Sequence, residues 1–155
     1  MAKIYEIDKL DREILEILIK DAKIPYTEIA KRLIVSPGTI HVRMKRMERL
    51  GIVRGATIIL DPGKIGYDLT AFVGIYLVKG SAYSEVIKEI DRIPEIVEAH
   101  YTTGEYSIFT KIICKNTEHL RQVINEKLQP VNGVSRTETI ISLGESIKKQ
   151  IHVEP

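Results

Sequence analysis

Apolar residues recur at helical spacing in two short stretches of residues 26–50, with a polar break between them. They are Ile29, Ala30 and Leu33 in the first stretch, and Ile40, Met44 and Met47 in the second. The i, i+4 and i+7 spacing of the second set places its side chains in one stripe along a helix. Ala30 is small, so two helices are able to cross closely there. The pattern predicts two short helices joined by a tight turn.

The outer side of the second predicted helix is basic. Ser36 is a good N-cap, and Pro37 suits the first helical position, where no amide donor is needed. The side opposite the apolar stripe carries Thr39, Val42, Lys45, Arg46 and Arg49, with Arg43 at the flank. Such a face suits a DNA major groove, although basic faces also occur on ordinary solvated helices. Because spacing, cap and charge agree, we predict a DNA-binding helix–turn–helix with Lys45 and Arg46 projecting outward.

The start of this helix adds main-chain donors to the basic face. Free amides at a helix N-terminus are able to meet a DNA phosphate. His41 lies on the same helix and fits either a contact with phosphate or base, or an ordinary surface position. The residues predicted to contact DNA are Ser36, Pro37, Gly38, Thr39, His41, Val42, Arg43, Lys45, Arg46 and Arg49.

A further helix is predicted before this pair, and a turn-rich segment after it. The earlier stripe consists of Ile7, Leu10, Ile14, Ile17 and Leu18. It predicts a helix over 8–20, which Asp8 is placed to cap. Residues 52–60, IVRGATIIL, predict a short β segment or wing. Residues 61–66 are rich in turn-forming types, so we predict a linker between a winged helix–turn–helix domain at 1–60 and a second domain at 67–155.

The second domain alternates strand and helix patterns. Strands are predicted over 69–78, 96–103, 106–114 and 134–143, and helices over 84–93 and 117–128. The order βαββαβ is that of a ferredoxin-like fold, in which an antiparallel sheet has helices on one face. The chain is therefore predicted to be an α+β protein. Because the other sheet face is left uncovered, we expect it to form a homo-oligomer.

Composition narrows the class of protein. A chain of 155 residues with 44% hydrophobic residues is able to bury a core. The absence of a membrane-length apolar run and of a signal-peptide pattern predicts no membrane partner. One cysteine excludes an internal disulfide and fits a reduced, cytoplasmic setting. The net charge is +2, yet residues 1–60 hold 12 Lys+Arg against 8 Asp+Glu, so the positive charge accompanies the predicted DNA-binding domain.

Three runs of sequence carry a resemblance to a known family: VSPGTIHVR at 35–43, YTTGEYSIF at 101–109 and RTETII at 136–141. The chain resembles the Lrp/AsnC (feast/famine) transcription regulators over nearly its whole length, and especially their asparagine-responsive branch. The resemblance implies an N-terminal DNA-binding domain, a C-terminal amino-acid-sensing domain and dimers assembled into an octamer. The family usually has glycine in the turn where this chain has Ile34. A left-handed β-branched residue costs about 1–2 kcal/mol, so we expect an altered or strained turn.

The resemblance also implies an effector site where neighbouring dimers meet. Its residues are Tyr101, Thr103, Gly104, Glu105, Tyr106 and Ser107, with Gln129 added from a run that resembles the family less. A free amino acid needs amides for its carboxylate, and an asparagine side chain needs paired donors and acceptors. A Gly-containing loop between two strands supplies both. Taken by itself, the loop would be read as a polar hairpin without a ligand.

No other constellation of residues indicates chemistry. His100, His119 and His152 are scattered without metal-ligand spacing, and Cys114 ends an apolar strand, where burial is expected. No nucleophile–base pair and no phosphate-binding glycine motif stands out, so we expect neither a cofactor nor an enzyme. Two alternatives stay open beside the amino-acid-responsive regulator. One is a constitutive DNA-organising protein without an effector, and the other a tetrapyrrole-processing enzyme of related fold.

Overall fold

The computed structural model describes residues 5–78 and 83–153. The chain divides into two units, one comprising Met1–Ile59 with Lys148–Pro155 and the other Leu60–Ile147. Of the described residues, 148–153 group with the first unit; the sequence pattern predicts a second domain at 67–155. Among the described residues, no helix is long and apolar enough to cross a membrane.

Three helices build the first unit: α1 over Lys9–Lys20, α2 over Tyr26–Leu33 and α3 over Pro37–Arg49. The predicted apolar stripes form its core. The fully or almost fully buried side chains are Ile14, Ile24, Ile29, Ala30, Ile40, Met44 and Met47. Burial of this set in one cluster explains why three short helices are stable together, since none is long enough to be stable alone. The predicted helix pair and its preceding helix are confirmed.

The predicted caps of α1 and α3 are present. Asp8 accepts a hydrogen bond from the Asp11 amide at 2.9 Å, and the two residues form a capping box at the start of α1. Ser36 Oγ accepts from the Thr39 amide at 3.1 Å, with Pro37 in the first helical position of α3. These bonds satisfy helix-end amides, so the local sequence determines where each helix begins.

The turn between α2 and α3 keeps a left-handed residue. Ile34 ends α2 at φ 55° and ψ 48°, in the left-handed region, with 92% of its surface exposed. The amide of Val35 donates to the Ala30 carbonyl at 3.0 Å and closes the turn. The chain therefore absorbs the strain at Ile34 rather than altering the turn. Contacts made by the neighbouring helices maintain this conformation, because the Ile34 side chain itself has little to pack against.

Residues 52–60 do not form the predicted β segment. They contain no strand, and Gly55 interrupts them at φ 142°. Ile58, Ile59 and Leu60 are 79%, 73% and 61% exposed. A strand requires a hydrogen-bonding partner, and none is available to this segment within the described part of one chain. The predicted linker at 61–66 contains a short 3-10 turn, Gly63–Ile65.

The second unit has the predicted βαββαβ order. Its strands are β1 (Leu69–Leu77), β2 (Ile96–Tyr101), β3 (Ile108–Cys114) and β4 (Val134–Ile141). Its helices are α4 (Tyr83–Ile90) and α5 (Thr117–Gln122), the latter continuing as a π-helical turn over Val123–Leu128. The sheet order is β2-β3-β1-β4, and every pair is antiparallel. This is the ferredoxin-like arrangement predicted from the sequence.

The core of the second unit lies between the sheet and the two helices. Alternate residues of β1 and β3 point into it and are mostly buried, as are the inner faces of α4 and α5. The other alternate residues, Phe72 and Phe109 among them, lie on the opposite sheet face and stack at 5.8 Å between ring centroids. We call this second surface the open face, because neither helix of this unit covers it.

The Ile34 turn makes a testable prediction about stability. Ile34→Gly is expected to raise the free energy of unfolding by about 1 kcal/mol, because glycine removes the left-handed strain and loses part of that gain as backbone entropy. The measurement is chemical denaturation followed by circular dichroism. Ile34→Ala is the matched control: it keeps the strain and removes only exposed side-chain atoms, so it should leave stability nearly unchanged. Equal effects of both substitutions would contradict the role of backbone strain.

Candidate functional site

The outer side of α3 is exposed, as the amphipathic pattern predicts. Val42 is 67% exposed, and His41, Lys45 and Arg49 are exposed beside it, while Thr39 is half-buried. The apolar stripe of the same helix is buried against α1 and α2. The exposed side chains offer cations, a hydroxyl and an apolar group, which are the functional groups that contact phosphates, base edges and thymine methyls.

The start of α3 is also open to solvent. Ser36, Pro37 and Gly38 are exposed, and Ser36 Oγ also lies 2.9 Å from Thr39 Oγ1. A phosphate oxygen is a suitable partner for the remaining amides of the first turn. DNA contact by these residues stays a prediction.

Two arginines of α3 are engaged within the protein. Arg43 Nη1 donates to Asp11 Oδ1 and Arg46 Nη1 to Asp11 Oδ2, both at 3.1 Å, while Arg43 also pairs with Asp8. The hydrogen bond from Arg43 holds the pKa of the Asp8 carboxyl below its usual value. Arg46 is exposed, as expected, but its guanidinium also bonds to Asp11, a contact that the sequence did not predict. Its guanidinium lies between the outer face and α1, because a buried carboxylate there attracts it.

The predicted effector loop connects β2 to β3. Thr102 Oγ1 donates to the Tyr106 carbonyl at 2.6 Å, and the Thr102 amide donates to the Ser107 carbonyl at 3.1 Å. Gly104 lies at the tip with φ 110°, a conformation that other residues rarely adopt. Thr103, Gly104 and Glu105 are exposed. Within the described residues, the Gly104 and Glu105 amides donate no main-chain hydrogen bond, so the tip presents free donors.

Tyr106 fastens this loop to the open face. Its hydroxyl donates to Glu138 Oε2 at 2.9 Å, across the sheet on β4. Its ring lies over Gly74 so closely that a Cβ at residue 74 would be 2.3 Å from Tyr106 Cδ1. Glycine on β1 therefore makes room for the tyrosine. The base of the loop is held rigidly even though its tip is exposed.

Tyr76 and Arg136 complete a network that the sequence analysis missed. Tyr76 donates to Glu138 Oε1 at 3.1 Å, and Arg136 Nη1 donates to the same oxygen at 2.9 Å. The Arg136 guanidinium lies 3.7 Å above the Tyr76 ring, and the Tyr76 and Tyr106 rings meet edge to face at 5.3 Å. Arg136 and Glu138 belong to the run RTETII, so family resemblance was the one signal that could have drawn attention to them.

The acidity of these groups follows from the network. Hydrogen bonds from Tyr106 and Tyr76 hold the pKa of Glu138 below its usual value. The bond to Glu138 raises the pKa of Tyr106 in turn. Desolvation, together with the carboxylates of Glu105 and Glu138, raises the pKa of Tyr76. Glu138 is therefore a carboxylate, and both tyrosines are neutral donors, at neutral pH.

The remaining predicted effector residues lie in different surroundings. Tyr101 is 67% exposed and its ring packs on Tyr83 at 4.2 Å between centroids. Ser107 donates its amide to the Ile75 carbonyl at 3.0 Å, at the edge where β3 meets β1. Gln129 Nε2 contacts Thr137 Oγ1 at 3.5 Å on β4. In the sheet, β1 lies between β4, which Gln129 contacts, and β3, where the loop ends.

Cys114 and His119 lie outside both sites. Cys114 is fully buried, as predicted, and burial raises the pKa of its thiol to about 11. His119 Nε2 lies 3.1 Å from Glu95 Oε1, which Lys127 also approaches at 2.5 Å. These contacts are structural, since they join α5 and its π-helical turn to the segment before β2.

Comparison with known proteins agrees with this two-part organisation. Residues 7–54 match a winged helix-turn-helix DNA-binding model, and residues 70–151 match the Lrp/AsnC ligand binding domain. Regulatory protein AsnC of Haemophilus influenzae is 45% identical over 147 residues, with 95% of this chain and 98% of that protein covered.

Solved structures extend the agreement to the fold. A structure of Escherichia coli AsnC matches with a TM-score of 0.90 at 42% identity, covering 96% of this chain and 99% of that one. A transcriptional regulator of Neisseria meningitidis in its L-Met complex matches with a TM-score of 0.89 at 23% identity, covering 97% of both chains. The second likeness concerns the fold alone.

The helix–turn–helix and the separate ligand-binding domain define a DNA-binding transcriptional regulator rather than an enzyme. By family model, by identity and by fold, the chain belongs to the Lrp/AsnC family. The fold class and the family resemblance predicted from the sequence are confirmed.

The Glu138 network predicts a measurable change in acidity. Tyr106→Phe is expected to raise the pKa of Glu138 toward its usual value, because it removes the hydrogen bond that lowers this pKa most. The stabilisation from these bonds is complete above the pKa of an unfolded glutamate and is lost as pH falls through the lower pKa of folded Glu138. The pKa of Glu138 is measured from its carboxyl chemical shift through a pH titration. Tyr83→Phe is the control, and an unchanged Glu138 pKa in Tyr106→Phe would contradict the network.

Proposed function

We propose that this regulator responds to a free amino acid bound at the loop between β2 and β3. The observation that carries the proposal is the exposed tip at Gly104, whose positive φ leaves neighbouring main-chain amides without a main-chain partner in the described residues. Such amides suit the carboxylate of an amino acid. The exposed hydroxyl of Thr103 and carboxylate of Glu105 stand beside them, and Glu105 is a suitable partner for the ammonium group.

Asparagine is the effector that we favour. Its side-chain amide needs a donor and an acceptor, for which Ser107 and Gln129 are the candidates. An apolar amino acid entering the same site would leave these polar groups unpaired, at a cost of about 1–3 kcal/mol for each buried group. The identity of 45% to a protein called AsnC supports this choice. A relative by fold has L-methionine bound, so methionine belongs in any comparison.

The site is proposed to lie between subunits. Gln129 contacts Thr137 on β4, and β1 lies between β4 and β3, where the loop ends. We expect a ligand that contacts both to take one of them from a neighbouring copy. The proposed contact residues are Tyr101, Thr103, Gly104, Glu105, Tyr106, Ser107 and Gln129. Binding between copies would let the ligand change the distribution of assemblies.

The open face supports a homo-oligomer, from dimer to octamer. Phe72, Phe109 and Ile140 lie there, and Ile140 is 53% exposed on the edge strand β4. The helices of the unit pack on the other face. A second copy of the same surface would cover these apolar groups by symmetric contact.

DNA contact is proposed for the outer side and the N-terminus of α3. Lys45 and Arg49 are exposed cations without an ion pair among the described residues, so they are available to phosphates. Thr39, His41 and Val42 present groups that suit base edges. Ser36, Pro37 and Gly38 bring the open helix start to the backbone.

Calorimetric titration tests the effector. Asparagine is expected to bind the full-length protein more tightly than aspartate, glutamine, methionine or leucine. Gly104→Val should abolish binding, because valine does not tolerate φ 110° at the tip. Ser107→Ala should weaken the binding of asparagine more than that of the other amino acids. Ser135→Ala, on the exposed surface of β4, is its matched control.

Each outcome of the titration is informative. Preference for leucine or methionine would overturn the assignment of asparagine as the effector, but it would not contradict the proposed binding site. Normal asparagine binding by Gly104→Val would overturn the site. If no amino acid binds, the constitutive DNA-organising alternative replaces the proposal. Because binding alone does not show regulation, DNA affinity is measured with and without the ligand.

The open face makes a separate prediction about assembly. Ile140→Glu should shift the full-length protein to smaller species in multi-angle light scattering, because a charge would be buried between copies. Thr139→Glu, at the preceding position of β4 and on the opposite sheet face, should leave the assembly unchanged. A monomeric wild type at micromolar concentration would exclude the proposed interface.

A further inference from the structure

Asp11 is a charged residue with no exposed surface. It lies in the first turn of α1, and its two oxygens accept from different arginines of α3, Arg43 at Oδ1 and Arg46 at Oδ2. Asp8, at the N-cap of the same helix, pairs with Arg43 as well. We call these four residues the arginine clamp. It is built from side chains that belong to the DNA-recognition helix on one side and to its supporting helix on the other.

The clamp supplies the directional contacts of α3. Apolar packing of Ile40, Met44 and Met47 is non-directional, and methionine adapts easily to small shifts. Hydrogen bonds between guanidinium and carboxylate have defined geometry, and here they hold α3 at two positions one turn apart. Rotation of α3 about its axis would break them and leave a buried carboxylate unpaired. The clamp therefore opposes this rotation more strongly than the apolar contacts do.

The clamp also divides the cations of α3 into two groups. Arg43 and Arg46 are neutralised by carboxylates within the protein. Lys45 and Arg49 are exposed and have no ion pair among the described residues. A cation already paired with a buried carboxylate gains little from approaching a phosphate, because it would leave that carboxylate uncompensated.

We propose that Asp11 is a positioning residue for DNA recognition, acting through Arg43 and Arg46. By holding both arginines it sets the rotation at which α3 presents Thr39, Val42, Lys45 and Arg49 to the groove. Arg43 and Arg46 then contribute to sequence preference through the orientation of the helix, and Lys45 and Arg49 contribute the phosphate contacts. This inference rests on the proposed DNA contact of α3.

The test compares specific and non-specific DNA binding by the full-length protein. The probes are the duplex that the wild type enriches from a randomised pool and a scrambled duplex of equal length, each titrated at several salt concentrations. Asp11→Asn keeps the size and one acceptor oxygen of the side chain. It is expected to lower the ratio of specific to non-specific affinity about tenfold, the effect of losing one well-aligned base contact. The salt slope should stay equal or become steeper, because the arginines are released toward phosphates.

Arg46→Gln and Lys45→Gln form a matched pair of adjacent substitutions. Arg46→Gln should lower the specificity ratio and leave the salt slope unchanged, whereas Lys45→Gln should weaken binding to both probes and reduce the slope by about 0.9. The effects of Asp11→Asn and Arg46→Gln should be less than additive in the double variant, since each breaks the same contact. Circular dichroism and thermal unfolding show whether each variant folds.

Two results would overturn the inference. One is a specificity ratio that stays within twofold of the wild type in folded Asp11→Asn. The other is a salt slope that falls equally in Arg46→Gln and Lys45→Gln, since Arg46 would then be a direct phosphate contact. If Asp11→Asn does not fold, the comparison of Arg46→Gln with Lys45→Gln still tests the inference. If neither Lys45→Gln nor Arg49→Gln weakens binding, the proposed DNA face itself is wrong, which is a separate failure.

Discussion

The pairing of β1 with a strand on each side is the constraint on which the second unit depends. Because β1 bonds to both β3 and β4, its alternate side chains determine both faces of the sheet. Val73 and Ile75 complete the core, while Gly74 and Tyr76 stand on the open face beside Tyr106 of the loop between β2 and β3. A slip of one residue in register would exchange the two faces. The same pairing thus forms the core and positions the loop.

Hydrophobic periodicity in the sequence was sufficient to predict a helix or strand wherever one face of that element is buried by its own chain. The stripe of Ile40, Met44 and Met47 located α3, and Ser36 located its first turn, because both signals are local. The strands were predicted with ends that extend one or two residues too far, as at 102–103, where the loop bonds of Thr102 replace the ladder. Family resemblance, rather than periodicity, led to the prediction that the loop between β2 and β3 binds an effector.

What the sequence did not predict depends on contacts between distant residues. Asp11 attracts Arg43 and Arg46 from a different helix, and no spacing along α3 indicates this. The position of Gln129 relative to the loop follows from strand order, which places β1 between them. Residues 52–60 have the composition of a strand, but pairing needs a partner that one described chain does not supply. The left-handed Ile34 shows that the surrounding fold overrides a local preference.

Gly74 and Tyr106 form a single steric unit across two strands. Any side chain at position 74 would occupy the space of the Tyr106 ring, so the two positions are not free to change independently. Among related regulators, a larger residue at the position of Gly74 should be accompanied by a smaller one at that of Tyr106. Such a compensated pair would lose the hydroxyl that reaches Glu138. Correlated variation at these positions would therefore separate members whose loop between β2 and β3 is anchored to the sheet from members whose loop is free.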